Sequence, residues 1–265
     1  MAERFRVGAV EYLNARPLLW QIESAWPRCC VTLDVPSALA TGLLEGAYDV
    51  ALIPLAAYLA GVGGDIVSGV AIASQGPVGT IKLFAKCPLA QVQTLALDRG
   101  SRTSALLARA VLSALYGVRP ICVEVEPDMA HLLADADAAL VIGQAGLVAE
   151  AHPPETTVTV DLGELWTSWQ GLPLVAACWV FGEGQCSPEA AQALRDVRDA
   201  GVAAIDLIAQ SEAADWRLPP ELIAHYLRDM LDYSLGPAEI EGIKRYQELL
   251  VQEGLLARPR ELTFC

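Results

Sequence analysis

The sequence predicts an α/β fold of two lobes with a helical C-terminal tail, and three observations carry that prediction. Short apolar segments alternate with helical stretches from Phe5 to Phe181, the pattern of strands covered by helices. The same order of elements occurs twice. Beyond Ser187 only helical periodicity remains.

Nine strands are expected, at Phe5–Val10, Val31–Val35, Val50–Leu55, Val78–Ala85, Thr94–Asp98, Cys122–Val125, Ala138–Ile142, Thr157–Asp161 and Leu174–Phe181. The most apolar stretch, Val50 to Val62, is broken by Pro54 and reads as a buried strand followed by a helix. It is shorter than the roughly 18 residues a membrane span needs. A helix opens at Ser104, with Leu107, Val111, Ala114 and Leu115 on its apolar stripe and Gly117 as its stop. Ser187-Pro188-Glu189 is a cap followed by a first-turn proline, and Leu194, Val197, Gly201, Ile205 and Ile208 form the stripe beyond it. Two further helices open near Pro219-Pro220 and Pro237. Their stripes run through Ile223, Tyr226, Leu227 and Met230, and through Ile240, Ile243 and Leu250.

The repetition defines the lobes. Phe5–Val10 leads through a polar loop into a helix, and Val50–Leu55 follows; Thr94–Asp98 and Ala138–Ile142 do the same in the second half. Residues 1–85 with 173–265 then form a discontinuous first lobe, and residues 86–172 a second. The chain crosses between Ser74 and Ala85, returns between Gln170 and Val180, and the tail from Ser187 packs on the first lobe. Two such lobes form a ligand cleft lined by helix N-termini and the carboxyl ends of strands. A single continuous α/β domain with accidental repetition is the alternative that spacing leaves open.

With 32 acidic against 18 basic residues the formal charge is −14, which excludes nucleic acid and anionic membranes as partners. A small anion remains compatible where the site supplies local donors. Met-Ala-Glu-Arg-Phe-Arg passes directly into a strand-like segment, without the succession of regions that marks a secretory signal, so a cytoplasmic location is expected. The seven cysteines are odd in number and scattered, and are read as reduced, mostly packing thiols.

Three histidines, His131, His152 and His225, stand far apart and show no zinc spacing. No glycine-rich nucleotide loop, nucleophile elbow or Cys-x-x-Cys is present. What remains is a set of hydroxyl, amide and glycine loops placed before helices. Ser101, Arg102, Thr103 and Ser104 are consecutive donors at a helix start, where free N–H groups and the helix dipole favour an anion; capping is the competing role. The loop Glu11-Tyr12-Leu13-Asn14-Ala15-Arg16-Pro17 has more polar content than capping needs. Asn14 is a candidate both for the cap and for a ligand contact, and Glu11 for pairing with Arg16. Ser74, Gly76 and Thr80 belong to a loop whose glycines admit close backbone approach. Gly143, Gln144 and Ala145, with the segment Trp169 to Pro173, complete the set. These loops describe a carboxylate receptor with no evident general base. Transport and catalysis both stay open on this reading.

At these same loops the chain resembles the menaquinone-biosynthesis family of chorismate dehydratases. The matching pieces are Val7 to Leu18, Asp49 to Pro54, Leu97-Asp98 followed by Ser101 to Ser104, Ala138 to Gly143, Asp161 to Trp166, Gly171-Leu172-Pro173 with Trp179, and Tyr233 to Gly236, in order over most of the chain. The resemblance implies a type II periplasmic-binding-protein-like fold and conversion of chorismate, a small dicarboxylate, to 3-[(1-carboxyvinyl)oxy]benzoate with loss of water. It implies no metal and no organic cofactor. Asn14 matches the family's first-loop asparagine, and Ser101 to Ser104 its carboxylate-binding stretch. Glu11 stands where a small residue is expected, Thr80 where serine is, and Gln144 where aspartate is. Two other readings share the scaffold: a solute-binding protein for a small organic anion, and the sister enzyme 1,4-dihydroxy-6-naphthoate synthase. The latter is expected to carry a catalytic histidine in a cleft loop, and these loops contain none.

Overall fold

The computed structural model describes residues 4–98, 102–125, 133, 136–151 and 158–265. In chain order they form strands β1 (Phe5–Ala9), β2 (Cys29–Leu33), β3 (Val50–Pro54), β4 (Ile66–Ser74), β5 (Ile81–Ala85), β6 (Thr94–Asp98), β7 (Ile121–Val125), β8 (Ala138–Ile142), β9 (Val158–Asp161) and β10 (Leu174–Phe181). The helices are α1 (Arg16–Leu19), α2 (Ile22–Ala25), α3 (Pro36–Leu44), α4 (Leu55–Leu59), α5 (Thr103–Tyr116), α6 (Gly143–Ala151), α7 (Leu162–Gln170), α8 (Pro188–Ala203), α9 (Ile205–Trp216), α10 (Pro220–His225) and α11 (Pro237–Gln252), with a π-helical turn at Tyr226–Met230. No helix among the described residues is long and apolar enough to cross a membrane.

The chain divides into two compact units. The first contains Met1–Ala73, Val175–Ile240 and Arg260–Cys265; the second contains Ser74–Leu174 and Glu241–Pro259. Their sheets have the orders β2-β1-β3-β10-β4 and β7-β6-β8-β5-β9. In each, three parallel strands are followed by an antiparallel one: β10 against β3, and β5 against β8. The sheets are therefore mixed, where alternation in the sequence predicted parallel strands. A periodicity of apolar residues reports burial and leaves strand direction unspecified.

In the first unit the central strands are buried on both faces. Val50 to Ile53 are at most 1% exposed, and Trp179 to Phe181 are fully buried. Gly8 has no side chain because the Tyr48 ring and Leu39 occupy the space where its Cβ would stand. The outer side of β4 is covered in two pieces. Thr263–Cys265 pairs with Ile66 and Ser68, and Asp232–Tyr233 pairs with Ala71 and Ala73, so no long run of backbone groups is left for another chain. Arg260 fastens the C-terminal segment, lying 3.9 Å over the Tyr58 ring and donating to the carbonyls of Tyr58, Val62 and Gly63.

Several expectations need correction. Strand β4 was absent from the sequence reading, because Gly69, with φ +81°, interrupts its apolar pattern; the Arg198 guanidinium donates to the Gly69 carbonyl there. The boundary drawn at residue 85 falls at 73/74 instead, since β5 pairs with β8 and β9 of the second sheet. The tail does not all pack on the first unit. From Glu241 to Pro259 it belongs to the second, where Gly242 passes so close to Pro173 that a Cβ would lie 2.3 Å from its carbonyl oxygen. The single stripe from Leu194 to Ile208 is shared by two helices that part at Ala204. In α5, Ala114 and Leu115 are exposed while Leu107, Val111 and Leu112 face the core. The thiol reading also changes. Cys186 and Cys265 form a disulfide with Cα atoms 5.7 Å apart, brought together because the C-terminal residues return to pair beside β4. Cys29, Cys30, Cys87, Cys122 and Cys178 are free.

The packing of α8 on α1 supplies a test. A Cβ at position 201 would lie 1.8 Å from the Pro17 carbonyl oxygen. Gly201→Ala should therefore cost about 1–3 kcal/mol through overpacking, measured by urea denaturation. A gain of about 1 kcal/mol, the usual effect of replacing a helical glycine by alanine, would show that the contact is not tight.

Candidate functional site

Strand polarity decides which loops share an end of each sheet. In the first unit β1 and β3 are parallel, and Ala177 of β10 lies opposite Pro54, so β10 begins where β1 and β3 finish. Phe181 at the end of β10 exchanges backbone bonds with Gly64 and Asp65, which precede β4. Hence β4 also runs against β10, and Ser74 emerges at the same end as the loop after β1. That loop and Ser74, the last residue of β4 and 2% exposed, share this end of the first sheet.

Within the loop, Glu11 is exposed and Tyr12 is half-buried. The Tyr12 carbonyl accepts from the Ala15 N–H at 3.0 Å, closing a 3-10 turn over Leu13–Ala15. Neither this turn nor α1 has a side-chain cap, so Asn14 is not a cap. Its Oδ1 is buried and accepts no hydrogen bond from the described residues. Leaving a buried acceptor unmatched costs about 1–3 kcal/mol. Arg16 Nε, Trp179 Nε1 and Tyr233 Oη share that condition among the described residues, and of the four only Asn14 offers an acceptor in the loop after β1. Arg16 does not pair with Glu11. Its Nε lies 3.0 Å from Glu212 of α9, which draws the arginine toward the helical layer.

In the second unit β6 and β8 are parallel, and β5 runs against both β8 and β9. The carboxyl ends of β6, β8 and β9 and the start of β5 consequently share one end. It gathers Arg102, Thr103 and Ser104 at the start of α5, Gly143, Gln144 and Ala145 at the start of α6, and Thr80. Ser101 lies outside the described residues, as do His131 and His152. Gly143 turns directly from β8 into α6 with φ +61°, a conformation that favours glycine. Arg102 is the exposed residue before α5 and gives no side-chain cap. Thr103 and Ser104, 5% and 9% exposed, are the helix's first residues; neither serves as its cap. The first-turn N–H groups of a 14-residue helix have no intrahelical acceptor, and its dipole favours negative charge there. Tyr246 of α11 holds this helix start from behind. Its hydroxyl donates to the Thr103 carbonyl at 2.9 Å, and its ring meets Trp166 edge-on at 6.1 Å. Burial pushes the Tyr246 hydroxyl well above the ordinary range for tyrosine, so it stays a donor.

The glycine loop differs from its expected role. The Gly76 N–H donates to Thr167 Oγ1 at 2.9 Å, and those of Val78 and Gly79 donate to the Asp161 carboxylate at 3.1 and 2.7 Å. These backbone donors are engaged inside the unit, and the Thr80 hydroxyl donates to the Val78 carbonyl at 3.4 Å. Trp169 to Pro173 forms the far end of α7, about 13 Å along the helix from Asp161. There Gly171 ends the helix in the left-handed conformation, the Trp166 indole donates to the Pro173 carbonyl, and Gln170 accepts from Arg245. That segment packs and caps. Two residues at this end escaped the sequence reading. Asp161 appeared as a strand terminus and as the first residue of a family-matching segment, with no role assigned to it. Lys82, 8% exposed and opposite Asp161 and Val141 in register, is a buried cation inside an apolar strand.

Comparison with known proteins places these loops in context. Residues 5–252 match a protein family described as menaquinone biosynthesis. A chorismate dehydratase of Thermus thermophilus is 29% identical over 260 residues, covering 92% of this chain and 94% of the relative. Among solved structures, the periplasmic aliphatic sulphonate binding protein of Escherichia coli superimposes with a TM-score of 0.65 at 16% identity, covering 98% of this chain and 95% of the other. A Candida albicans protein described as having the generic periplasmic binding protein fold gives 0.69 at 12% identity, over 97% and 92%. The fold is that of the periplasmic binding proteins.

Support of α5 from behind is open to test. Tyr246→Phe removes one neutral hydrogen bond while keeping the ring against Trp166, and should cost about 0.5–1.5 kcal/mol of unfolding free energy in urea. An unchanged midpoint would mean that the Thr103 carbonyl gains nothing from this bond.

Proposed function

We propose, from the premise that this chain belongs to the menaquinone-biosynthesis family, that it is a chorismate dehydratase: a hydro-lyase converting chorismate to 3-[(1-carboxyvinyl)oxy]benzoate and water. The structural observation that carries the reading is the Asn14 amide oxygen, buried without a partner in the loop after β1. An acceptor kept unmatched in the protein alone is suited to a hydroxyl or other donor of the substrate.

In the proposed reaction one ring hydrogen and one ring hydroxyl leave as water, and the ring becomes aromatic. With that driving force the protein's task is mainly positioning. Asn14 orients the reacting part. Thr103, Ser104 and the first-turn N–H groups of α5 hold one carboxylate, with Ser101 and Arg102 of the same loop. Glu11, Tyr12, Ser74, Gly76, Thr80, Gly143, Gln144 and Ala145 complete the proposed binding set. The substrate's own enolpyruvyl carboxylate takes the ring proton, which accounts for candidate loops that carry neither histidine nor cysteine.

Activity in the cytoplasm is part of this proposal, resting on the biosynthetic character of the family. The Cys186–Cys265 bond weighs the other way, because stable disulfides are characteristic of oxidising compartments. The second reading, a binding protein for a small organic anion, draws on that bond and on the sulphonate-binding fold relative. Turnover separates the two.

Steady-state kinetics on chorismate provide the test. Asn14→Ala should lower kcat by about a hundredfold or more while substrate still binds, following the roughly 2.7–4 kcal/mol lost when a preorganised polar partner of a reacting centre is removed. Unchanged turnover in a folded variant would remove Asn14 from the mechanism, and no turnover by the wild type would leave the binding protein. Ser104→Ala should weaken chorismate binding roughly tenfold to a hundredfold, as expected for a charge-assisted bond of about 1.5–3 kcal/mol. Because Ser104 does not cap α5, its melting temperature should stay near that of the wild type. Calorimetric titration showing wild-type affinity would place the carboxylate elsewhere.

A further inference from the structure

Two side chains that no reading of the loops had marked hold the glycine loop in place. The Asp161 carboxylate accepts four backbone N–H groups: Val78 at 3.1 Å and Gly79 at 2.7 Å from the loop, Gly163 at 2.9 Å and Glu164 at 3.1 Å from the first turn of α7. Thr167, one turn further along α7, accepts from Gly76 at 2.9 Å. The loop also presses on the helix. A Cβ at position 163 would lie 2.8 Å from the Gly76 carbonyl oxygen and 3.0 Å from the Val78 side chain. Loop and helix start are therefore one mechanical element, with Asp161 serving both as helix cap and as loop anchor. Such convergence exceeds what capping needs, which is one or two N–H groups. The anchored backbone runs directly into Thr80, which is 3% exposed, and its path through Gly76, at φ +106°, and Gly79, at φ +70°, is one that only glycine follows easily.

We infer that Asp161 and Thr167 are positioning residues for substrate binding, acting through the backbone of Gly76 to Gly79 to set the placement of Ser74 and Thr80. The inference rests on the proposed reaction with chorismate. Neither side chain need touch the substrate. Both act by taking up backbone donors that would otherwise turn to solvent and release the loop.

Substitutions separate anchoring from folding. Asp161→Asn leaves an oxygen to cap α7, since asparagine caps as well as aspartate, but sets an amide N–H₂ group against a loop N–H. Thr167→Val keeps the shape and removes the acceptor, whereas Thr167→Ser keeps the acceptor. For chorismate, KM should rise about tenfold in Asp161→Asn and in Thr167→Val with kcat changed less than about threefold, as for lost uniform binding. Thr167→Ser should return KM to the wild-type value. Amide exchange at Gly76, Val78 and Gly79 should quicken in the first two variants and not in the third. A wild-type KM in both folded variants overturns the inference and leaves the reaction standing. Absence of turnover by the wild-type protein overturns the reaction and, with it, this role.

Discussion

The arrangement depends on one constraint: each sheet is completed by a strand that runs against its neighbours. In the first unit that strand is β10, which reaches its place between β3 and β4 only after the chain has passed through the second unit. In the second it is β5, laid between β8 and β9. An antiparallel insert reverses which of its ends meets the loops, so β10 begins, and β5 begins, where the parallel strands end. Ser74 joins the end that carries Asn14, and Thr80 the end that carries Ser104, for this reason alone. The buried faces of Trp179 to Phe181 and of Phe84 show that the inserted strands are core strands. Burying each large apolar side chain stabilises the fold by roughly 1.5–3 kcal/mol.

Given that polarity, the polar loops are held by a small number of directional contacts from inside the fold. Tyr246 fixes the start of α5, and Asp161 with Thr167 fixes the glycine loop. Each anchor lies on a different segment from the loop it holds, so a loop that looks independent in sequence is set by distant residues. The contrast between the two classes of donor matters for chemistry. Backbone N–H groups of the glycine loop are spent within the protein, whereas those in the first turn of α5 have no intrahelical acceptor. An acidic chain of net charge −14 can receive an anion at such a point because local dipoles act within the first turn, while the field of distant surface carboxylates is screened by salt.

The fold alone does not distinguish binding from catalysis, since the same scaffold carries a sulphonate-binding protein. Membership of the menaquinone-biosynthesis family supports the proposed reaction, and the unmatched Asn14 oxygen supports the proposed place for it. Neither observation is sufficient alone.

Much of this was legible in the residues themselves. Strands Thr94–Asp98, Ala138–Ile142 and Leu174–Phe181 were expected at the limits they have, because each has an apolar run at its centre with turn or helix signals on both sides. Ser187-Pro188 caps α8 through the hydroxyl bond to Ala190, a local contact that spacing suffices to predict. The loops carrying Asn14 and Ser104 were recognisable by polar content before helices, whereas the Thr80 loop, recognisable by its glycines, precedes a strand. What only the tertiary structure decided has one physical character: it depends on contacts between segments remote in sequence. Gly69 hid β4 until the pairing with β10 and the Arg198 bond were seen. Cys265 found Cys186 across 79 residues. The part of α11 beyond Ile240 joined the second unit because Tyr246 meets Trp166 and Thr103 there. Asp161 read as the last residue of a strand, and its four N–H partners became visible only when the Val78–Gly79 backbone was laid beside it. Local propensity and periodicity write the elements into the chain; side-chain partners across the fold are set by where those elements meet.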